Sequence, residues 1–184
     1  MTCVIFQVYP HVGPLVGTAK KELMFFSGSF GLMLWLIGTI FVARGSQRGK
    51  DDVNRGGARL KADFVAGKDP VSIWMFPEGT RHTARDGQFM PFKKGAFHLA
   101  VNNRLPILPI VISQFDFLRP RDKVFTGGQA VIKVLPAIEI DGFLPDENQN
   151  GEDGDNAHAN AVNKVCQHTR NVMVEGFDEL MKRN

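Results

Sequence analysis

Residues Val71 to Arg81 read VSIWMFPEGTR. Val71 to Phe76 is a nearly all-apolar run, the pattern of a strand buried on both faces. Pro77 ends it abruptly, because proline offers a ladder no N–H. The run therefore predicts a buried strand that delivers Glu78, Gly79, Thr80 and Arg81 at its carboxyl end. In α/β sheets, ligands gather at that end of the strands. Arg81 carries a planar, permanently charged fork suited to a phosphate, and Gly79 lets backbone approach a ligand closely. Glu78 either orients Arg81 or holds the loop. Taken alone, the four residues are better described as a turn with a local ion pair.

Downstream, Phe92 to Asn103 (FKKGAFHLAVNN) predicts a short helix with Ala96, Phe97 and Ala100 on its apolar side. Leu105 to Ser113 (LPILPIVIS) is a second apolar run, and its two prolines limit how it pairs. Ala130 to Leu135 has β character, and Asp141 to Asn160 is polar and acidic, as in a solvated linker. Beyond it, Val162, Val165, Thr169, Val172, Met173, Phe177 and Leu180 recur at the spacing of an amphipathic helix. Upstream of Val71, Gly45 to Gly57 (GSQRGKDDVNRGG) reads as a loop and Ala58 to Val65 as a short helix. Strands alternating with helices predict an α/β domain. The 184 residues suffice for one domain: a core over about 18–140, a linker over about 141–158 and a terminal helix over about 159–182.

Leu23 to Ala43 carries no charge and is flanked by Lys20, Lys21 and Arg44. Its length matches the roughly 20 residues that span a bilayer. Ser27, Gly28, Ser29, Gly31 and Gly38 interrupt it. Pattern alone leaves open a membrane span and a buried helix followed by a buried strand.

A net charge of +3 suits anionic partners such as phosphates or a membrane surface. No nucleic-acid-binding module signature is present, so nucleic acid is not an expected partner. Gly45 to Asp51 is one residue too short for a P-loop and ends in Asp rather than Ser or Thr. The two cysteines, Cys3 and Cys166, show no ligand spacing and read as ordinary reduced thiols, with no metal site implied.

Five segments in order give the chain a family likeness. Lys20-Lys21-Glu22-Leu23, Gly38 to Arg44, Phe76 to Arg81, Pro91 to Ala100 and the proline-bearing Leu105 to Ser113 resemble the blocks of the lysophosphatidate acyltransferases. The resemblance covers roughly Thr18 to Pro136. It implies a glycerolipid-acyltransferase α/β fold, with a central mostly parallel sheet flanked by helices and a C-terminal amphipathic helix. It implies acyl transfer from acyl-CoA, a co-substrate, to the sn-2 hydroxyl of lysophosphatidate, giving phosphatidate without a cofactor. It places the protein at the endoplasmic reticulum membrane, active face toward the cytosol, with Leu23 to Ala43 lying against the bilayer. Lys20 and Arg81 match the family's phosphate-holding positions, Arg44 matches the arginine of its second block, and Glu78, Gly79 and Thr80 match its third block. Two or more cations suit a phosphomonoester of nearly two negative charges. Ala43 stands where the family usually has Asp, which removes a natural partner for orienting Arg44.

The same resemblance exposes what this sequence lacks. An alcohol is a poor nucleophile until a base takes its proton, and the family uses His-x-x-x-x-Asp. Five residues after His11, His82, His98, His158 and His168 stand Val16, Gly87, Asn103, Asn163 and Met173. No catalytic residue is therefore assigned. His82 with Asp86 is a loop pair, and His98 is a packed helix residue. The family's block precedes its lysine, so it is expected just upstream of Met1, and the chain reads as a partial acyltransferase domain. The alternative is a non-catalytic module that binds lipid phosphate or a membrane.

Overall fold

The computed structural model describes residues 2–6, 15–26, 28–42, 47–66, 72–79, 88–113, 117–119, 122–144 and 154–182. Six strands form the main sheet: β1 (Thr2–Phe6), β2 (Leu15–Lys20), β3 (Ile40–Val42), β4 (Ser72–Met75), β5 (Ile107–Ile112) and β8 (Ile132–Val134). A small ribbon of β6 (Leu118–Arg119) and β7 (Val124–Phe125) stands apart. The helices are α1 (Lys21–Phe26), α2 (Ser29–Leu36), α3 (Gln47–Val65), α4 (Gly95–Asn103) and α5 (Gly154–Lys182). A 3-10 turn covers Asp141–Phe143.

The sheet order is β3-β2-β4-β1-β5-β8. β3, β2 and β4 pair in parallel, whereas β1 runs antiparallel to both β4 and β5, and β8 antiparallel to β5. Four of these six strands thus point one way, and β1 and β8 are reversed. The fold is α/β, with a parallel three-strand block flanked by helices and a C-terminal helix, as the resemblance implies. A parallel pair needs a crossover; α1 and α2 supply it between β2 and β3, and α3 between β3 and β4.

The core lies between the sheet and α3, α4 and α5. Ile73 of β4, Ile107 and Val111 of β5, Phe97 and Leu99 of α4, and Val165 and Met173 of α5 are all fully buried in one cluster. Trp74, Leu108 and Ile110 form a lesser cluster on the other side. Burial in β4 falls along the strand: Ser72 and Ile73 are buried, Trp74 and Met75 partly so, and Phe76 is 40% exposed. Closure on both faces therefore holds for its first half only, because the strand emerges toward the surface at the loop it delivers.

Pro109 sits inside β5, which has a partner on each side. The carbonyl of Pro109 accepts from the Leu135 N–H at 3.0 Å, just beyond the end of β8. The donor that proline lacks is missing where that ladder has already stopped.

Two expectations need correction. Gln47 to Gly57 is not loop but the first half of α3, a single 19-residue helix that absorbs the expected Ala58–Val65 helix. Gly49 and Lys50 lie inside it, so they form no phosphate loop. The glycines that suggest a break are contact points. A Cβ on Gly57 would fall 2.3 Å from Leu99 Cδ1 of α4, and one on Gly56 would fall 2.9 Å from Ile40 Cδ1 of β3. Ion pairs Arg55–Asp52 (3.0 Å) and Arg59–Asp63 (4.0 Å) add local support at helical spacing. Val65, at the end of α3, is 77% exposed. Gly57→Ala gains at most about 1 kcal/mol of helix propensity but overpacks fully buried Leu99, at about 1–3 kcal/mol. A net loss of about 1 kcal/mol is expected, measured as a lowered midpoint in urea.

Leu23 to Ala43 is no single span. It divides into α1, α2 and β3, with Gly28 at φ +52° in the turn between the helices. No helix among the described residues is long and apolar enough to cross a membrane. α5 begins at Gly154, five residues before the expected position 159, and buries Val162, Val165, Thr169, Met173, Phe177 and Leu180 on one face.

Candidate functional site

β4 hands the chain to a tight turn at Phe76–Gly79. The Gly79 N–H donates to the Phe76 carbonyl at 3.0 Å, and Gly79 takes φ +66°, a left-handed conformation that a side chain disfavours. Glu78 is only 5% exposed, and its carboxylate accepts the Met90 N–H at 3.3 Å. Its part in holding the loop, one of the two roles the sequence leaves open, is thus visible. The Lys93 N–H donates to the Pro77 carbonyl at 2.7 Å. The turn after β4 is therefore pinned to the segment that leads into α4.

Aromatic packing fixes that segment from behind. Phe92 is buried and stacks on Phe97 of α4, with ring centroids 6.2 Å apart. Phe89 stacks on Phe92 at 6.3 Å and meets the edge of Phe177 of α5 at 5.2 Å. Arg170 of α5 donates to the Phe89 carbonyl at 3.4 Å. The far end of α4 is held as well: Arg104 adopts φ +50°, and Lys61 of α3 donates to the Asn103 carbonyl at 2.6 Å.

The register of the parallel block relates the expected cations. Lys20 pairs with Val42, and Gly17 pairs with Trp74. The carboxyl ends of β2, β3 and β4 open on the same edge of the sheet, the position where α/β sheets take ligands, with β4 ending two residues short of the level of Lys20 and Val42. In sequence, Arg44 follows Val42 by two residues and Arg81 follows Pro77 by four. Arg44, Thr80 and Arg81 lie outside the described residues, as does Ala43, and of Lys20 only the backbone is described. His82 and Asp86 also lie outside them.

His98 belongs to α4, where its ring stacks on His158 of α5 at 5.6 Å, and His158 in turn contacts the Asn102 side chain. His98 is partly exposed at this helix contact rather than in the core. Cys166 is a free, half-buried thiol; burial pushes its pKa up, and the charges of Lys94 and Arg170 pull it back down. Among the described residues, no group of three or more His, Cys, Asp or Glu side chains is placed to hold a metal. Sequence reasoning passed over Lys93. Its doublet with Lys94 hides which lysine turns toward Gly79.

Residues 1–113 match the model of the family described as Acyltransferase. The human 1-acyl-sn-glycerol-3-phosphate acyltransferase alpha is 42% identical over 144 residues, 78% of this chain and 47% of that protein. The human beta form is 38% identical over 131 residues, covering 70% and 44%. The Saccharomyces cerevisiae 1-acyl-sn-glycerol-3-phosphate acyltransferase is 36% identical over 132 residues, covering 71% and 41%. No solved structure matches the chain. The chain spans about half the length of the curated relatives it matches. The turn after β4, pinned by Met90 and Lys93, falls within the matched residues: this chain belongs to the acyltransferase family, alongside the 1-acyl-sn-glycerol-3-phosphate acyltransferases.

Proposed function

We propose that this chain is the phosphate-holding part of an acyltransferase that moves an acyl group from acyl-CoA to the sn-2 hydroxyl of lysophosphatidate, giving phosphatidate for phospholipid synthesis. The observation that carries the reading is the parallel pairing of β3, β2 and β4, which puts their carboxyl ends on one edge of the sheet with Lys20 level with Val42. Lys20, Arg44 and Arg81, which the sequence sets at or shortly after those ends, are the cations proposed to hold the acceptor's phosphate. Glu78 and Gly79 shape the turn that precedes Thr80 and Arg81 in sequence. In the reaction the hydroxyl oxygen forms the new ester bond, the thioester C–S bond breaks, and the hydroxyl proton passes through a base to the departing thiolate. No histidine here has the family's aspartate at the fifth following position. The base is therefore supplied by a His-x-x-x-x-Asp block ahead of Lys20 in a longer chain.

The reading also takes the acceptor from a membrane. α2 is apolar on all sides and largely exposed, and Lys21 opens α1 beside it. A phospholipid bilayer, at the endoplasmic reticulum with the site facing the cytosol, is the proposed surface. A second reading rests on the histidine pattern alone: a module that binds lipid phosphate without turnover.

The test joins the His-x-x-x-x-Asp segment of a relative ahead of Lys20 and measures coenzyme A release with lysophosphatidate. Turnover is expected from the joined chain and none from the 184-residue chain. Arg81→Ala in the joined chain is expected to lower kcat/KM at least tenfold, since a charge-assisted contact to phosphate is lost. Lys182→Ala, at the exposed end of α5, leaves it unchanged. Tight binding by a correctly folded joined chain that releases no coenzyme A would establish the non-catalytic reading. Equal effects of the two substitutions would remove Arg81 from the site.

A further inference from the structure

We infer that Lys93 is a phosphomonoester-contacting residue of the site after β4, a cation additional to Arg81; the inference rests on the phosphate-holding reading above. A Cβ built on Gly79 would fall 2.6 Å from Lys93 Cδ, 3.0 Å from Cε and 3.1 Å from Nζ. The outer half of the Lys93 chain, ammonium included, therefore runs along the left-handed glycine of the turn. Its backbone is held there by the bond to the Pro77 carbonyl, and the neighbouring Phe92 is buried. Lys93 itself is exposed, so its charge can meet a ligand, and no carboxylate among the described residues pairs with it. Lys94 behaves differently: its charge is felt by the Cys166 thiol of α5. The two adjacent lysines thus serve different surroundings. Gly79 has a double reason to be glycine, since a side chain there would meet both its own left-handed backbone and the Lys93 stem.

An ammonium laid along the turn adds positive charge where a phosphomonoester of nearly two negative charges would sit. Two substrates of the proposed reaction carry that group: the acceptor, as its headgroup, and coenzyme A, as its 3′-phosphate. The ligand chemistry is the same, and the experiment separates the sources.

Lys93→Met keeps the length and apolar stem over Gly79 and removes the charge. The 184-residue chain and its variants are titrated calorimetrically with monomeric lysophosphatidate, coenzyme A and dephospho-coenzyme A. Lys93→Met is expected to weaken one phosphomonoester about tenfold, Lys93→Arg to restore most of it, and Lys94→Met to change nothing. Weakening toward lysophosphatidate places Lys93 at the acceptor. Weakening toward coenzyme A but not its dephospho form places it at the donor. Affinities unchanged in Lys93→Met while Arg81→Ala still weakens binding overturn the inference and leave the site standing. Affinities unchanged in both variants overturn the site along with it.

Discussion

Phe97→Ala is expected to lower the stability of the domain by about 3–5 kcal/mol, the usual cost of emptying a buried phenylalanine site. Phe97 is fully buried and is the largest such side chain. Its ring stacks on Phe92 with only 11° between planes, and Phe92 continues through Phe89 to Phe177. The four rings join α4, the segment behind the turn and α5, so the cavity cannot close by moving one side chain. Against a typical total of about 5–15 kcal/mol, such a loss is a large fraction. Urea unfolding followed by circular dichroism should show the midpoint falling with its slope unchanged. Phe125→Ala is the contrast, because Phe125 is 79% exposed and should cost less than about 0.5 kcal/mol. The site should respond too. Phe92 precedes Lys93, whose N–H holds Pro77, so weakened stacking loosens the turn that carries Gly79. A loss below about 1 kcal/mol for Phe97→Ala would mean that the rings are not packed as described.

The elements that sequence pattern revealed are those whose signal is local. β4 announced itself by an apolar run ending in Pro77, and α5 by buried residues at a helical period. α3 was hidden because Gly56 and Gly57 carry opposite meanings in sequence and in packing. In isolation a glycine pair is the strongest breaker after proline; against Leu99 and Ile40 it is what lets α3 lie close. Sheet order had no local signal at all. β1 lies between β4 and β5 although some seventy residues of sequence separate it from β4, and such pairing is set by partners that no short window contains. The turn after β4 was readable from Pro77 and Gly79. The pairing that sets Lys20 level with Val42 was not, because it is a register. Lys93 shows the same limit in miniature: two adjacent lysines look alike in sequence, and only their placement distinguishes them.

Replacing Trp35 and Leu36 together by Asp is expected to weaken binding to vesicles of phosphatidylcholine and phosphatidate roughly thirtyfold or more. Both side chains are mostly outside the protein, at 58% and 69% exposure, and so are Phe30, Leu32 and Ile37 around them. A helix that is apolar all round belongs in a core or against lipid, and a soluble monomer rarely leaves so large an apolar patch bare. At eight residues α2 is about 12 Å long, far short of a roughly 30 Å hydrocarbon layer. On the proposed membrane reading it would lie in the interface rather than across it. It docks closely on α1, since a Cβ on Gly31 would fall 2.6 Å from the Leu23 carbonyl, so the two helices enter as one unit. Burying the exposed parts of one Trp and one Leu contributes about 2–3 kcal/mol, and two new carboxylates beside anionic headgroups add repulsion. The melting temperature should scarcely move, because neither side chain supports the core. Flotation of the chain with vesicles measures the effect. Equal flotation of variant and parent would sink the membrane assignment, and so would concentration-dependent dimerisation without flotation, which would make the patch a protein contact. A membrane seat at α1 and α2 also fits the chemistry of the site. α1 starts at Lys21, the residue after Lys20, so on the proposed reading an acceptor held by its phosphate beside Lys20 would keep its acyl chain in the bilayer.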